Sequence, residues 1–542
     1  MVFQQSNLAV ILFLVVIALV VGLSCTLIRR SSSPAGYFVA SGSVHWGVNG
    51  ISFVGDYLSA ASFLGVGGMI AVAGFDGFLY SIGFLSGWIV LLLLLAEPVR
   101  RLGHFTFTDA LDAYFQSRGL RFAAAISTLI ISIFYLIPQM VGAGALMMPL
   151  LGVPHYVGVL MLGTVVTIIV ATSGMVSTTY VQCVKGGLLL VISLVLVYAV
   201  LERGFIMDGT VIVPTTTVQS GDAVGSKFNH SGSLDPLKYL QLFYAGDIYQ
   251  LRQKGGGEVS PDFERKKAGA EIMRSGGLFQ LGSGHWRDRI DFISLMLGLI
   301  CGTAALPHIL IRYYTVSSNV AARKSSIVAI CGIALFYVLS LYIGLGAMTS
   351  GTVNLGDSNM AVPLLAKSLG VVFFAVVSAV AFSAVLGTVS GLIIASSGAV
   401  AHDIMDRVLG MKMTAMEKVV AGRIAAIVIG CIAIYLGLVF EGMNVSYLAG
   451  WAFAIAASAN LPALLLALFW RRTTSQGVVA AIFSGLLVSL VLILVSPEMY
   501  VRYGYAATQA PIHLNHPAII AMPISLLAAI VVSLRTTGLT QR

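Results

Sequence analysis

Apolar residues in this chain run in blocks of about twenty, separated by short stretches of glycine, proline, serine and charge, from residue 8 almost to the C-terminus. At about 1.5 Å per residue such a block matches the roughly 30 Å of a bilayer's hydrocarbon core, so the pattern predicts transmembrane helices. The blocks fall at 8–28, 47–73, 76–97, 122–150, 156–174, 178–201, 290–312, 325–350, 369–400, 422–440, 446–470, 475–496 and 517–535. The expected fold is an all-α polytopic membrane protein of about thirteen spans. The block at 8–28 reads as a retained first span, because no Lys or Arg precedes it and no small-residue cleavage site follows.

Composition agrees. Of 542 residues, 58% are hydrophobic and only 10% charged, too few to cover a soluble surface of that size. The net charge of +9 does not point to nucleic acid, since the basic residues stand singly or in pairs between apolar blocks with no aromatic-rich basic face. Cys25, Cys183, Cys301, Cys331 and Cys431 are far apart in apolar segments, which excludes a disulfide framework or a zinc site as a reading.

Basic residues set the expected orientation. With the N-terminus outside, the cytoplasmic segments hold eighteen Lys and Arg, counting Lys185 and Arg312, against two (Lys367 and Arg502) in the short external segments. The expectation is N-terminus outside and C-terminus cytoplasmic. Residues 202–289 form the one stretch of soluble composition, read as a long extracytoplasmic loop with an amphipathic helix around Leu237 to Gln253, and carrying the Gly255–Gly257 run and the Arg265–Lys267 cluster.

Two spans carry signs of a break. The second contains Gly50, Gly55, Asp56, Ser59, Ser62, Gly65, Gly67 and Gly68, and the seventh contains Gly298 and the run Gly302-Thr303-Ala304-Ala305-Leu306-Pro307-His308. A transmembrane helix satisfies its own backbone, so such segments unwind only where carbonyl oxygens serve a cavity or a cation. Interrupted helices opening each of two five-helix units point to an inverted-repeat secondary transporter. Asp56 is the sharpest single residue, because a charge at mid-membrane depth costs at least about 2.5 kcal/mol without a partner. The ninth span contributes Ala384, Gly387, Thr388 and Ser390, suited either to tight packing or to cation coordination. Gln139, beside Pro138 and small residues, either faces a solute or bridges two helices, and His308 reads as a hydrogen-bonded interior histidine.

These residues resemble the sodium:solute symporter family, most closely its acetate and short monocarboxylate permease branch. The resemblance rests on Gly55 to Gly65 (GDYLSAASFLG), Gln139 to Gly144 (QMVGAG), Ser173 to Met175 leading to Tyr180 to Gln182, Gly302 to Arg312 (GTAALPHILIR) and Ala401 to Ile404 (AHDI). It implies a 5+5 inverted-repeat core, leucine-transporter-like, with repeats at 46–201 (helices 2–6) and 290–470 (helices 7–11). These follow a first helix and cytoplasmic loop at 1–45, and helices 12 and 13 with a short tail occupy 471–542. It implies sodium as coupling ion, with no other cofactor, held by Gly55, Leu58, Ala384 and Thr388 with Asp56 nearby; oxygen ligands suit a hard cation. Expected solute-facing residues are Ser59, Gln139, Gly302 and Thr303. Many family members carry a hydroxyl residue before the threonine, where this chain has Gly387, which leaves sodium and a proton both open as coupling ion.

The expected function is cation-coupled uptake of a small organic anion such as acetate across a bacterial cytoplasmic membrane. Two readings compete: a transporter-like sensor that binds solute without turnover, and a membrane enzyme. Sensors usually append a signalling domain, whereas only a few residues, from Arg535 on, follow the last block; the enzyme lacks any nucleophile, metalloprotease or phosphate-loop motif.

Overall fold

The computed structural model describes residues 7–28, 44–102, 106–112, 115–172, 175–208, 228–252, 262–274, 279, 286–354 and 356–536. Arg29, Arg30, Ser173, Gly174, the Gly255–Gly257 run and Arg542 lie outside them. The long helices are α1 (Asn7–Ile28), α2 (Trp46–Tyr57), α3 (Gly67–Ala73), α4 (Phe75–Val90), α5 (Arg118–Leu151), α6 (His155–Thr172) and α7 (Met175–Arg203). After the 202–289 segment, which holds α8 (Pro236–Ala245), come α9 (Trp286–Thr303), α10 (Pro307–Leu310), α11 (Asn319–Thr349), α12 (Ala361–Leu369) and α13 (Val371–Gly398). The chain ends on α14 (Ala415–Val439), α15 (Val445–Phe469), α16 (Ser475–Leu494) and α17 (Ala518–Thr536).

Ten helices among the described residues are long and apolar enough to cross a membrane, and α2 with the helix following it forms one further, bent pair. Their outer faces are apolar: Leu93 is 74% exposed and Ile168 59%, a surface that water would reject and lipid accepts. The protein is therefore a multi-pass membrane protein. α1 and the shorter apolar helix α6 stand at the two remaining predicted blocks.

The bend arises where the sequence places its small and hydroxyl residues. α2 starts with the His45 side chain accepting from the Gly47 amide at 3.2 Å, and stops at Leu58, which leaves the helical region at φ −72°, ψ 95°. A π-helical turn at Ala61–Val66 then leads into α3, and the two halves meet at 59°. The matching break follows α9, where residues 304–306 are non-helical before Pro307 opens α10. Pro307 suits that first helical position because its missing N–H has no partner to lose. The segments flanking both broken elements meet: Val44 pairs with Val316 in a parallel β-bridge, its amide donating to the Thr315 carbonyl at 3.0 Å.

Around the breaks, α2 packs on α7 and α11, α9 on α4 and α15, and α13 on α1, α5 and α7. On the far side of the bend, Asn359 fastens the turn before α12 to the start of α15. Its Nδ2 donates to Asp357 Oδ1 (2.8 Å) and the Met443 carbonyl (2.9 Å), and its Oδ1 accepts from the Val445 amide (3.0 Å). Burial pushes the Asp357 carboxyl above its ordinary range, and the bonds from Asn359 oppose that shift. Asn359→Ala strips buried partners from Met443 and Val445 together. We expect it to destabilise the protein by about 2–3 kcal/mol, measured as a lowered midpoint of thermal unfolding in detergent.

The 202–289 segment is more ordered than a loop. It contains a four-stranded antiparallel sheet, order β2-β1-β3-β4, of β1 (Ile206–Asp208), β2 (Phe228–His230), β3 (Asp247–Arg252) and β4 (Asp262–Ala268). The helix expected over Leu237 to Gln253 is confined to α8. Asp235 caps its start by accepting from the Lys238 amide, and Gly246 turns extended (φ −92°, ψ 161°) at its end, releasing the following residues into β3.

Candidate functional site

Asp56 lies in the last turn of α2 and is fully buried. Its Oδ2 accepts from Arg312 Nε at 2.5 Å, and its Oδ1 from Gln182 Nε2 at 3.0 Å. Arg312, also fully buried, sits in the 3-10 turn (Ile311–Thr315) after α10, so the ion pair ties one broken element to the other. A second tie runs beside it, where Thr315 Oγ1 donates to Asn49 Oδ1 at 2.9 Å. Asp56 thus has its carboxylate satisfied by a guanidinium and an amide, which explains how a charge is tolerated there.

Two residues counted as loop charges from the sequence are inside the protein. Arg312 is one; Lys185 on α7, 1% exposed, is the other. Lys185 Nζ donates to the Ala384 carbonyl at 2.9 Å and lies 3.4 Å from Thr388 Oγ1. Thr388 Oγ1 in turn donates to the Asp56 carbonyl at 3.0 Å, and Gln182 Nε2 donates to the Gly387 carbonyl at 2.5 Å. The structure therefore brings Asp56, Ala384 and Thr388 together across α2 and α13. Gly55, one residue earlier, lies against the Gln182 carbonyl, and Leu58 marks the point where α2 ends. Lys185 and Arg312 therefore leave the cytoplasmic tally, which becomes sixteen basic residues against two.

The solute-facing candidates line the two breaks. Ser59 Oγ accepts from the Ala61 amide at 3.2 Å and lies 3.4 Å from Tyr135 Oη. Gln139 Oε1 accepts from the Ala60 amide at 3.2 Å, so this side chain bridges α5 to the unwound stretch, while its Nε2 has no partner among the described residues. Thr303 Oγ1 shares a 2.9 Å hydrogen bond with Tyr57 Oη, and Gly302 lies against the Phe453 carbonyl. Aromatic rings close around them. Phe453 packs on Phe84, Tyr135 and Tyr57 at centroid distances of 5.0, 5.3 and 6.2 Å, and Tyr337 Oη reaches Ser62 Oγ at 3.2 Å.

His308 departs from expectation. It is buried with its ring 5.5 Å from Tyr135, and neither ring nitrogen has a hydrogen-bond partner among the described residues. The break before Pro307 aims it into the aromatic cluster rather than at a neighbouring backbone. The Ala401–Ile404 motif serves elsewhere: His402 Nδ1 and Thr106 Oγ1 both bond Asp403 Oδ1, at 2.9 and 3.2 Å, joining the end of α13 to the segment before α5.

Two broken helices locked together around a buried, charged and aromatic-walled centre define a membrane transporter, not an enzyme. The chain belongs to the sodium:solute symporter family, whose model it matches over residues 37–485. It is 36% identical over 531 residues to the uncharacterized symporter YwcA of Bacillus subtilis (strain 168), covering 96% of this chain and 93% of the relative. A solved structure of a Na+-coupled sialic acid symporter, substrate-bound and outward-open, shares the fold with a TM-score of 0.67 at 14% identity, over 99% of this chain and 98% of that one. The protein is thus a solute symporter, and family membership implies sodium as its coupling ion.

Proposed function

We propose that this protein takes up a short monocarboxylate such as acetate across a bacterial cytoplasmic membrane, coupled to inward movement of a cation, sodium or a proton. The reading includes thirteen spans with the N-terminus outside, a 5+5 inverted repeat, and alternating access around the two breaks. One observation carries the choice of an anion. The buried centre holds two basic side chains, Lys185 and Arg312, against one carboxylate, Asp56, and both Arg312 Nη atoms lack a partner among the described residues. With Lys185 protonated, that excess of one positive charge and two open guanidinium donors suits a monoanion, since a planar fork is matched to a carboxylate. The aromatic walls and the small residues at the breaks suit a short acyl group.

Purified protein in liposomes, given labelled acetate, propionate or pyruvate with a neutral control, tests the reading. Uptake of at least one acid under an imposed sodium or proton gradient is expected, with none for the neutral solute. No uptake of any of the three acids under either gradient removes the substrate assignment.

A further inference from the structure

The oxygens that the family resemblance reserves for sodium already hold a cation belonging to the protein. Lys185 Nζ reaches the Ala384 carbonyl at 2.9 Å and Thr388 Oγ1 at 3.4 Å, two of the four expected ligands. A sodium ion on the same pair of oxygens is a close like-charge neighbour of the ammonium, and the two repel. The two do not share the site.

Gly387 makes the same point independently. A Cβ built on it meets Lys185 Nζ at 2.7 Å, Lys185 Cδ at 2.8 Å and Gln182 Oε1 at 2.5 Å. A hydroxyl residue at this position would have to push the flexible ends of Lys185 and Gln182 aside, so in the present arrangement the space beside Gly387 is filled by the ammonium. We infer that the Lys185 ammonium replaces sodium between α2 and α13, so that this set of oxygens does not hold the ion the family resemblance assigns to it.

The ionisable groups around Lys185 are few. Asp56 on α2 and Arg312 after α10 act on it electrostatically, and α2 also carries Tyr57. α13 has no charged residue, and α1 has only Cys25. α11 presents Arg323, Lys324 and Cys331, all exposed, with Tyr337 bonded to Ser62 and Tyr342 to the Pro236 carbonyl.

The inference rests on the reading of the chain as a cation-coupled symporter, and its test is separate because sodium binding needs no solute. Binding of 22Na+ is measured on purified wild type, Thr388→Ala, Lys185→Ala and the double variant, each with its melting temperature. The expected result is no Thr388-dependent 22Na+ binding in wild type, and its appearance in Lys185→Ala, where the space is vacated, with loss again in the double variant. Saturable 22Na+ binding to wild type that Thr388→Ala abolishes overturns the inference, whether or not the Lys185 variants fold.

Discussion

Arg312→Ala should abolish transport and lower stability by about 3–5 kcal/mol, the usual cost of removing one partner from a buried ion pair. Arg312 and Asp56 are both shut away from solvent and joined at 2.5 Å, so truncating the arginine leaves the carboxylate with the Gln182 amide alone. The same truncation removes the only side chain to side chain ion pair between the two broken elements among the described residues, leaving neutral hydrogen bonds such as Thr315 to Asn49 as their ties. Asp56→Asn combined with Arg312→Met removes both charges and should recover most of the lost stability, because a buried pair exchanged for neutral groups of similar volume is often close to neutral in free energy. Transport should stay absent in the double variant, since the guanidinium donors offered to the anion are gone. Thermal unfolding in detergent and liposome uptake, run on the two single variants and the double, separate these effects. A double variant no more stable than Arg312→Ala removes the pair as the source of the loss, and full transport by Arg312→Ala removes it from the mechanism.

How far the sequence reaches depends on the range of the interaction. The helices follow from local pattern, because block length alone separates a membrane span from a soluble helix. The bend after α2 and the break after α9 were visible for the same reason: Gly55, Ser59 and Gly65 in one, Gly302 and Pro307 in the other, are residues whose backbone effect is local. The partner of Asp56 was not visible, lying 256 residues away in the chain. Lys185 was misread because a single lysine between apolar runs looks like a loop residue. A signal was present, since the predicted block at 178–201 contains Lys185, and a lysine inside a continuous span demands a polar partner. Gly387 stands in the sequence where a hydroxyl ligand is expected, and only the fold shows that Lys185 and Gln182 fill the space beside it. The sheet within 202–289 escaped because its strands, two of them of three residues each, are too short to show an alternating pattern.

Gly55→Ala should be the most damaging single methyl group in the protein's centre. A Cβ there lies 1.9 Å from the Gln182 carbonyl oxygen, 2.8 Å from its carbon and 3.0 Å from the Gly186 amide nitrogen, all of them backbone atoms that no rotamer change can move. Relief requires α2 and α7 to part, and α7 carries Gln182 and Lys185, which hold Asp56, Gly387, Ala384 and Thr388. Overpacking of this kind costs about 1–3 kcal/mol, and the upper end is expected because the obstruction is main chain. The functional loss should exceed the loss of stability: displacing positioned groups by about 1 Å can cost on the order of a hundredfold in rate. Gly187→Ala supplies the control, five residues beyond Gln182 on the same helix, where a Cβ meets nothing within 4 Å. That variant should melt and transport as wild type does, which excludes a general intolerance of α7 to lost glycine. Uptake by Gly55→Ala within about twofold of wild type would mean that the α2 and α7 backbones do not need this contact for transport, contrary to the hundredfold sensitivity expected of positioned groups.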